Sequence, residues 1–189
     1  MTTANKITII RFIMIPIMLV IIYINPLKDD IGFLNLSIGA FIFAVLFVIA
    51  AITDFLDGYI ARKYNQITTF GKFLDPIADK VLVLVAMLYL MTIDPTRVPL
   101  WAVMIVIVRE FVVTSIRLIA VDQGLVIAAS PYGKIKTAST MVALVILLFN
   151  DFGMTPWIGN IIFYFAILMT LISGIDYFMK NRKSILASI

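Results

Sequence analysis

Between residues 7 and 179 the chain is a succession of apolar stretches, each about as long as a helix that crosses a bilayer. A hydrocarbon core roughly 30 Å thick takes about 20 helical residues. Six runs meet that length, at 7–24, 33–61, 73–92, 98–121, 133–149 and 157–179. Their breaks carry turn chemistry: Asn25-Pro26, Asp94-Pro95, Ser130-Pro131-Tyr132-Gly133 and Asn150-Asp151-Phe152-Gly153. The pattern predicts an all-α integral membrane protein with six transmembrane helices. With 62% hydrophobic and 14% charged residues among 189, a soluble domain could not bury the apolar surface. The first run follows Lys6 but lacks a small-residue cleavage site, so it reads as a mature span rather than a signal peptide. No segment outside the runs is long enough for a second domain, and residues 1–189 read as a single transmembrane domain.

Orientation follows from the basic residues. Six spans put both termini on one side, together with Lys6, Arg62, Lys63, Lys72, Lys134, Lys136, Lys180, Arg182 and Lys183, and leave Lys28 and Arg97 in the opposite loops. The positive-inside rule makes the termini cytoplasmic. The net charge of +4 sits beside apolar spans, which suits a lipid surface; no aromatic-plus-basic pattern suggests nucleic acid.

The chain has no cysteine and no histidine. A general base near neutral pH must then be a carboxylate, lysine or tyrosine, and a hard metal must be held by oxygen. Against that background the segment "DFLDGYIARKYNQITTFGKFLDPIADK", residues 54–80, stands out. Asp54, Asp57, Gly58 and Ala61 share one helical stripe, and Gly71, Asp75 and Asp79 share another. Two antiparallel helices joined by a short polar loop can turn these stripes toward each other at the cytoplasmic surface. Pro76 then falls in the first turns of the third span, where few amides have helical partners. Four clustered carboxylates repel unless cations are present. All-oxygen coordination points to Mg²⁺, Mn²⁺ or Ca²⁺, and four carboxylates can hold two such ions, an arrangement suited to a phosphate or diphosphate substrate. Lone aspartates at helix ends are more often solvated caps than ligands, but four on two facing stripes are harder to explain that way. Intramembrane carboxylates also mark ion paths, so a cation transporter is the rival from another class. Against it, no acidic relay lies at the midplane, and Asp176 stands alone near the end of the sixth run.

The eight positions Asp54, Asp57, Gly58, Ala61, Arg62, Gly71, Asp75 and Asp79, spaced D-x2-D-G-x2-A-R-x8-G-x3-D-x3-D, resemble the signature of the CDP-alcohol phosphotransferases at every fixed position. The resemblance implies six transmembrane helices, usually a homodimer, and transfer of a phosphoryl group from a CDP-linked donor to an alcohol with release of CMP. It also implies Asp54, Asp57, Asp75 and Asp79 as ligands for two Mg²⁺ or Mn²⁺ ions and Asp79 as general base, although base and ligand remain alternatives for Asp79. Gly58, Ala61, Arg62 and Gly71 resemble the positions that accommodate the nucleotide. The N-terminal "NKITIIR" resembles an N-x2-T-x2-R pattern of the family's glycerophosphate branch, which adds Asn5 and Thr8 to the donor site; Arg11 either belongs there or snorkels to lipid headgroups.

The fourth run carries "REFVVTSIR", with Glu110, Thr114 and Arg117 on one stripe and Arg109 beside it; the fifth opens on "GKIKT" with Lys134 and Lys136. Charges inside a span should face the protein interior or a wet cavity. Arg109, Arg117, Lys134 and Lys136 are the candidates to bind a phosphate on the acceptor. The bland alternative pairs the arginines with Glu110 structurally and leaves the lysines to membrane orientation. Both stretches resemble the glycerophosphate branch, which implies CDP-diacylglycerol as donor and sn-glycerol 3-phosphate as acceptor, giving phosphatidylglycerophosphate and CMP. A sister enzyme using inositol, inositol phosphate or serine is the nearest alternative.

Overall fold

A computed structural model describes residues 3–24, 27, 29, 32, 34–63, 69–124 and 130–186, with the side chains of 3–6, 55–63, 69–75, 122 and 183–186 outside the described set. Among the described residues the chain is all-α, with six α-helices and no sheet: α1 (Thr3–Tyr23), α2 (Ile38–Lys63), α3 (Thr69–Ile93), α4 (Leu100–Asp122), α5 (Pro131–Leu148) and α6 (Trp157–Leu186). One helix forms from each apolar run because the punctuation between runs holds. Arg97, in the Asp94–Arg97 turn after α3, is tied to the start of α6 by Nε donation to Asn160 Oδ1 at 2.9 Å. Ser130 caps α5 by accepting the Gly133 amide at 3.1 Å, with Pro131 as the first helical residue.

Several boundaries differ from the sequence reading, and three have a consequence; α1 also starts earlier than expected, at Thr3 rather than 7. Helix α2 starts at Ile38 rather than at 33, because Leu34 and Asn35 adopt left-handed backbone (φ 59° and 52°) and the helix then starts behind Ser37, whose Oγ accepts the Ala40 amide. Helix α3 begins at Thr69, so Pro76 lies in its interior and leaves the carbonyl four residues earlier without its amide donor. Helix α6 continues to Leu186, carrying Lys180 and Arg182 as part of the helix. Asp176 is not alone there: Lys180 Nζ sits 2.8 Å from its Oδ1, one turn on. The loop expected at 65–69 falls largely outside the described residues.

The chain forms two compact units. In the first, Met1–Tyr89 with Val145–Thr155, α1 packs along α2. Ile15 and Met18 of α1, Phe43, Ala44, Phe47 and Ala50 of α2, and Ala78, Leu82 and Val85 of α3 are buried. Phe43 lies against Tyr89, with ring centroids 4.3 Å apart. Gly39 lets the start of α2 approach Leu27, whose carbonyl would be 3.2 Å from an added Cβ. Asn150, Asp151 and Phe152 turn left-handed (φ 49°, 54° and 53°) before Gly153, and Asn150 Nδ2 donates to the Leu34 carbonyl at 3.0 Å. Three successive non-glycine residues in that region store strain, which the Leu34 bond and the stacked Phe149 and Phe152 rings offset.

In the second unit, Leu90–Leu144 with Pro156–Ile189, α4 packs along α6, and Val113, Ile116 and Tyr177 make a buried cluster. The outward side is as apolar as the core. Trp101, Met104, Val108 and Phe111 recur at three- and four-residue steps on α4, with Leu118 seven residues on, and Trp157, Ile161, Leu168 and Ile175 recur at steps of four and seven on α6, all more than half exposed. Such ridges are unfavourable in water and suit lipid. Among the described residues two helices are long and apolar enough to cross a membrane, through windows Pro76–Ile93 and Trp157–Arg182; Ile7–Tyr23 and Ile38–Asp54 are shorter apolar stretches. Helix α4 carries Arg109, Glu110 and Arg117 within its length, and α5 carries Lys134 and Lys136, so their polarity is concentrated where the candidate site residues lie.

Candidate active site

The first unit brings three helices together on one guanidinium. Arg11, wholly buried on α1, places Nη1 2.8 Å from Asp54 Oδ1 of α2 and 2.9 Å from Asp79 Oδ1 of α3. Both carboxylates donate nothing and accept from the same nitrogen, so their oxygens converge on a single point. Each keeps about a third of its surface open (34% and 37%), so the pair sits at the edge of a buried cation rather than in the core. The snorkelling alternative for Arg11 is thereby corrected: a guanidinium with two carboxylates at hydrogen-bond distance is held inside the protein, because desolvating it is offset only there. Thr8, one turn earlier on α1, is buried as well.

Of the remaining positions in the aspartate segment, Asp57, Gly58, Ala61 and Arg62 lie on α2 and Gly71 and Asp75 on α3, with side chains outside the described residues; so does that of Asn5 on α1. Among the described residues no three carboxylates gather as a metal site. The donor chemistry nevertheless fits a hard divalent ion: Asp54 and Asp79 supply oxygen only, they converge, and each keeps about a third of its surface open.

The second unit builds a different cluster. Glu110 Oε1 accepts from Arg109 Nη1 at 2.8 Å and from Lys136 Nζ at 2.6 Å. All three side chains are nearly buried, at 14%, 13% and 9% exposure for Arg109, Glu110 and Lys136. Thr114 Oγ1 donates to the Glu110 carbonyl at 2.7 Å, fixing that turn of α4. Space for the Arg109 side chain comes from Gly174, where an added Cβ would lie 3.2 Å from its Cγ. The Nε of Arg109 is buried and meets no hydrogen-bond partner among the described residues.

The four candidates for acceptor phosphate thus divide. Arg109 and Lys136 meet on Glu110. Arg117 turns to α6, where its Nε donates to the Tyr177 hydroxyl at 3.3 Å and its Cζ lies 5.8 Å from that ring's centroid. Lys134 is exposed. Sequence reasoning left Tyr177 out of the site, kept Arg11 open between the donor site and the lipid surface, and gave Glu110 only as the structural partner of the arginines. For Arg11 a signal existed, since a charge within an apolar helix requires an interior partner.

Comparison with known proteins bears on both clusters. A family model described as CDP-alcohol phosphatidyltransferase matches residues 1–172, a span that contains Arg11, the aspartate segment, Glu110 and all four cation candidates. A Bacillus subtilis (strain 168) protein named CDP-diacylglycerol--glycerol-3-phosphate 3-phosphatidyltransferase is 39% identical over 190 residues, covering 97% of each chain. Proteins of the same name from Rickettsia bellii (strain RML369-C) and Shigella flexneri serotype 5b (strain 8401) are 39% and 34% identical over 185 residues, covering 95% of this chain and 94% of theirs. An aspartate-bearing helix pair spelled with the eight-residue signature, within a match that runs through nearly the whole chain, places this protein in the CDP-alcohol phosphatidyltransferase family.

Proposed function

We propose that this enzyme transfers the phosphatidyl group of CDP-diacylglycerol to sn-glycerol 3-phosphate, forming phosphatidylglycerophosphate and releasing CMP. The observation that carries the reading is the near-full-length likeness to relatives that bear this activity in their names. The acceptor hydroxyl forms a bond to the phosphorus attached to diacylglycerol, the phosphoanhydride bond breaks, and CMP leaves with the electron pair. Asp79 receives the hydroxyl proton, the role the family signature gives that position; in a chain without histidine a carboxylate is among the bases that remain. Asp54, Asp57, Asp75 and Asp79 would hold two divalent ions, Mg²⁺ or Mn²⁺, which when bound neutralise the diphosphate and the charge developing on the departing phosphate. Support for that assignment comes from the convergence of Asp54 and Asp79 and their all-oxygen chemistry.

Asn5, Thr8, Gly58, Ala61, Arg62 and Gly71 take the cytidine nucleotide and its diphosphate, by the family signature they match. Arg109, Arg117, Lys134 and Lys136 take the phosphate of the acceptor, with the near-buried Arg109 and Lys136 contributing most, because a charge-assisted bond strengthens as water is excluded. The chain works as one transmembrane domain of six spans, as a homodimer, in the cytoplasmic membrane with both termini and the aspartates at the cytoplasmic face. The Lys and Arg bias and the apolar outward ridges of α4 and α6 support this topology. Purified protein supplied with CDP-diacylglycerol, Mg²⁺ or Mn²⁺ and a panel of acceptors tests the reading: CMP release with glycerol 3-phosphate supports it, and preference for serine, inositol or inositol phosphate replaces the acceptor.

A further inference from the structure

A carboxylate at the heart of an anion site calls for a physical reason, since it repels the ligand the site is built to take. Glu110 is that carboxylate. Its single Oε1 accepts from Arg109, its own neighbour on α4, and from Lys136 on α5, at 2.8 and 2.6 Å. Without it the guanidinium and the ammonium, both nearly buried, would repel and swing apart. With it they are held at one oxygen. The carboxylate is itself held by the turn it sits on, through the Thr114 bond to its carbonyl. Among the described residues the buried Nε of Arg109 has no hydrogen-bond partner, so the guanidinium is placed with a donor to spare there.

We propose that Glu110 is a positioning residue for the acceptor site, locking Arg109 and Lys136 into one preorganised receptor for the phosphate of a phosphorylated alcohol. This deepens the functional reading above and rests on its assignment of Arg109 and Lys136 to the acceptor. Glu110 touches neither the reacting hydroxyl nor the donor in this account; it acts through its two partners. Its loss therefore falls on acceptor affinity, because the cost of ordering the two cations moves from folding to binding.

The test is a double-mutant cycle on full-length protein in detergent, with steady-state kinetics varied separately in glycerol 3-phosphate and in CDP-diacylglycerol. Glu110→Gln raises the glycerol 3-phosphate KM about tenfold, the order of one charge-assisted hydrogen bond, while kcat and the donor KM change far less. Glu110→Asp recovers part of the loss. In the Lys136→Met background, Glu110→Gln adds less than it does alone, since much of what it positioned is gone. Multiplying effects in the cycle, or equal shifts in the donor and acceptor KM, would overturn the proposal and mark Glu110 as a generic structural residue. If Glu110→Gln does not accumulate folded, Glu110→Asp takes its place, and an unchanged acceptor KM there overturns it equally. Should Arg109→Met and Lys136→Met themselves leave the acceptor KM untouched, the underlying acceptor assignment fails instead, which is a separate result.

Discussion

Arg11 and Asp79 stand 68 positions apart in the chain and meet at 2.9 Å, and the nitrogen that joins them also holds Asp54 at 2.8 Å. One buried cation thereby fixes the relative placement of α1, α2 and α3 at their polar end. Removing it takes the Arg11 counter-charge away from both carboxylates. Arg11→Met is expected to lower stability by about 2–3 kcal/mol, below the range for a fully buried pair because both carboxylates remain about one-third exposed. Thermal unfolding in detergent with chelator measures this. Arg11→Lys should recover only part, since an ammonium lacks the planar fork that spans two partners.

Asp79→Asn removes the proposed base and a proposed ligand while preserving shape. CMP release should fall by about a hundredfold or more, the lower end of the effect of losing a positioned general base. Asp54→Asn should act through metal dependence, raising the Mg²⁺ or Mn²⁺ concentration needed for half-maximal rate. Equal activity of both variants and wild type at saturating metal would contradict the aspartate assignment.

The cation candidates are expected to rank by burial. Lys136→Met and Arg109→Met each raise the glycerol 3-phosphate KM by about 10- to 100-fold, as expected for charge-assisted bonds in a nearly dry site. Lys134→Met, at an exposed position, changes it by about threefold or less. Arg117→Met is intermediate, because its guanidinium is engaged with Tyr177. Acceptor titrations at fixed CDP-diacylglycerol read the ranking directly.

Asp94, in the turn between α3 and α4, has its pKa lowered from the ordinary 3.8, first by the hydrogen bond from the Thr96 hydroxyl and then by the amides of Arg97 and Thr96 and the Arg97 charge, against the opposing effect of burial. A carboxylate with a depressed folded pKa contributes stability above its unfolded pKa and loses it as the pH falls through the lower, folded value. Asp94→Ala should thus cost a small amount of stability at pH 7 and nothing at a pH below both values. Melting curves across that range check the sign.

Asn150→Ala should destabilise the protein by about 1–2 kcal/mol. It removes the bond to the Leu34 carbonyl and puts a residue with a poor left-handed preference at φ 49°. Asn150→Gly, which tolerates that backbone, should lose less. Comparison of the two melting temperatures separates hydrogen bond from strain.

The six helices were legible because the apolar runs are long enough to span and several breaks between them carry turn residues, such as Asp94-Pro95 after α3 and Ser130-Pro131 before α5. The helical register of Asp54 and Asp79 was legible for the same reason, since spacing fixes which residues share a face. Long-range partners were not. Nothing local in "NKITIIR" says which carboxylates Arg11 will meet, 43 and 68 positions away. Lys136 reaches Glu110 from the next helix, so the composition of "REFVVTSIR" showed the charges but not their grouping. The late start of α2 was hidden because Leu34 and Asn35 turn left-handed without a glycine at either position. The far end of α6 was hidden because basic residues ended the apolar run while the helix continued.

The most direct test of the account is CMP release by purified protein given CDP-diacylglycerol and Mg²⁺ or Mn²⁺, with glycerol 3-phosphate compared against serine, inositol, inositol phosphate and no acceptor. The account predicts release that requires glycerol 3-phosphate, stops with chelator and is lost in Asp79→Asn. Release with another alcohol in preference to glycerol 3-phosphate, or undiminished release in Asp79→Asn, would contradict it.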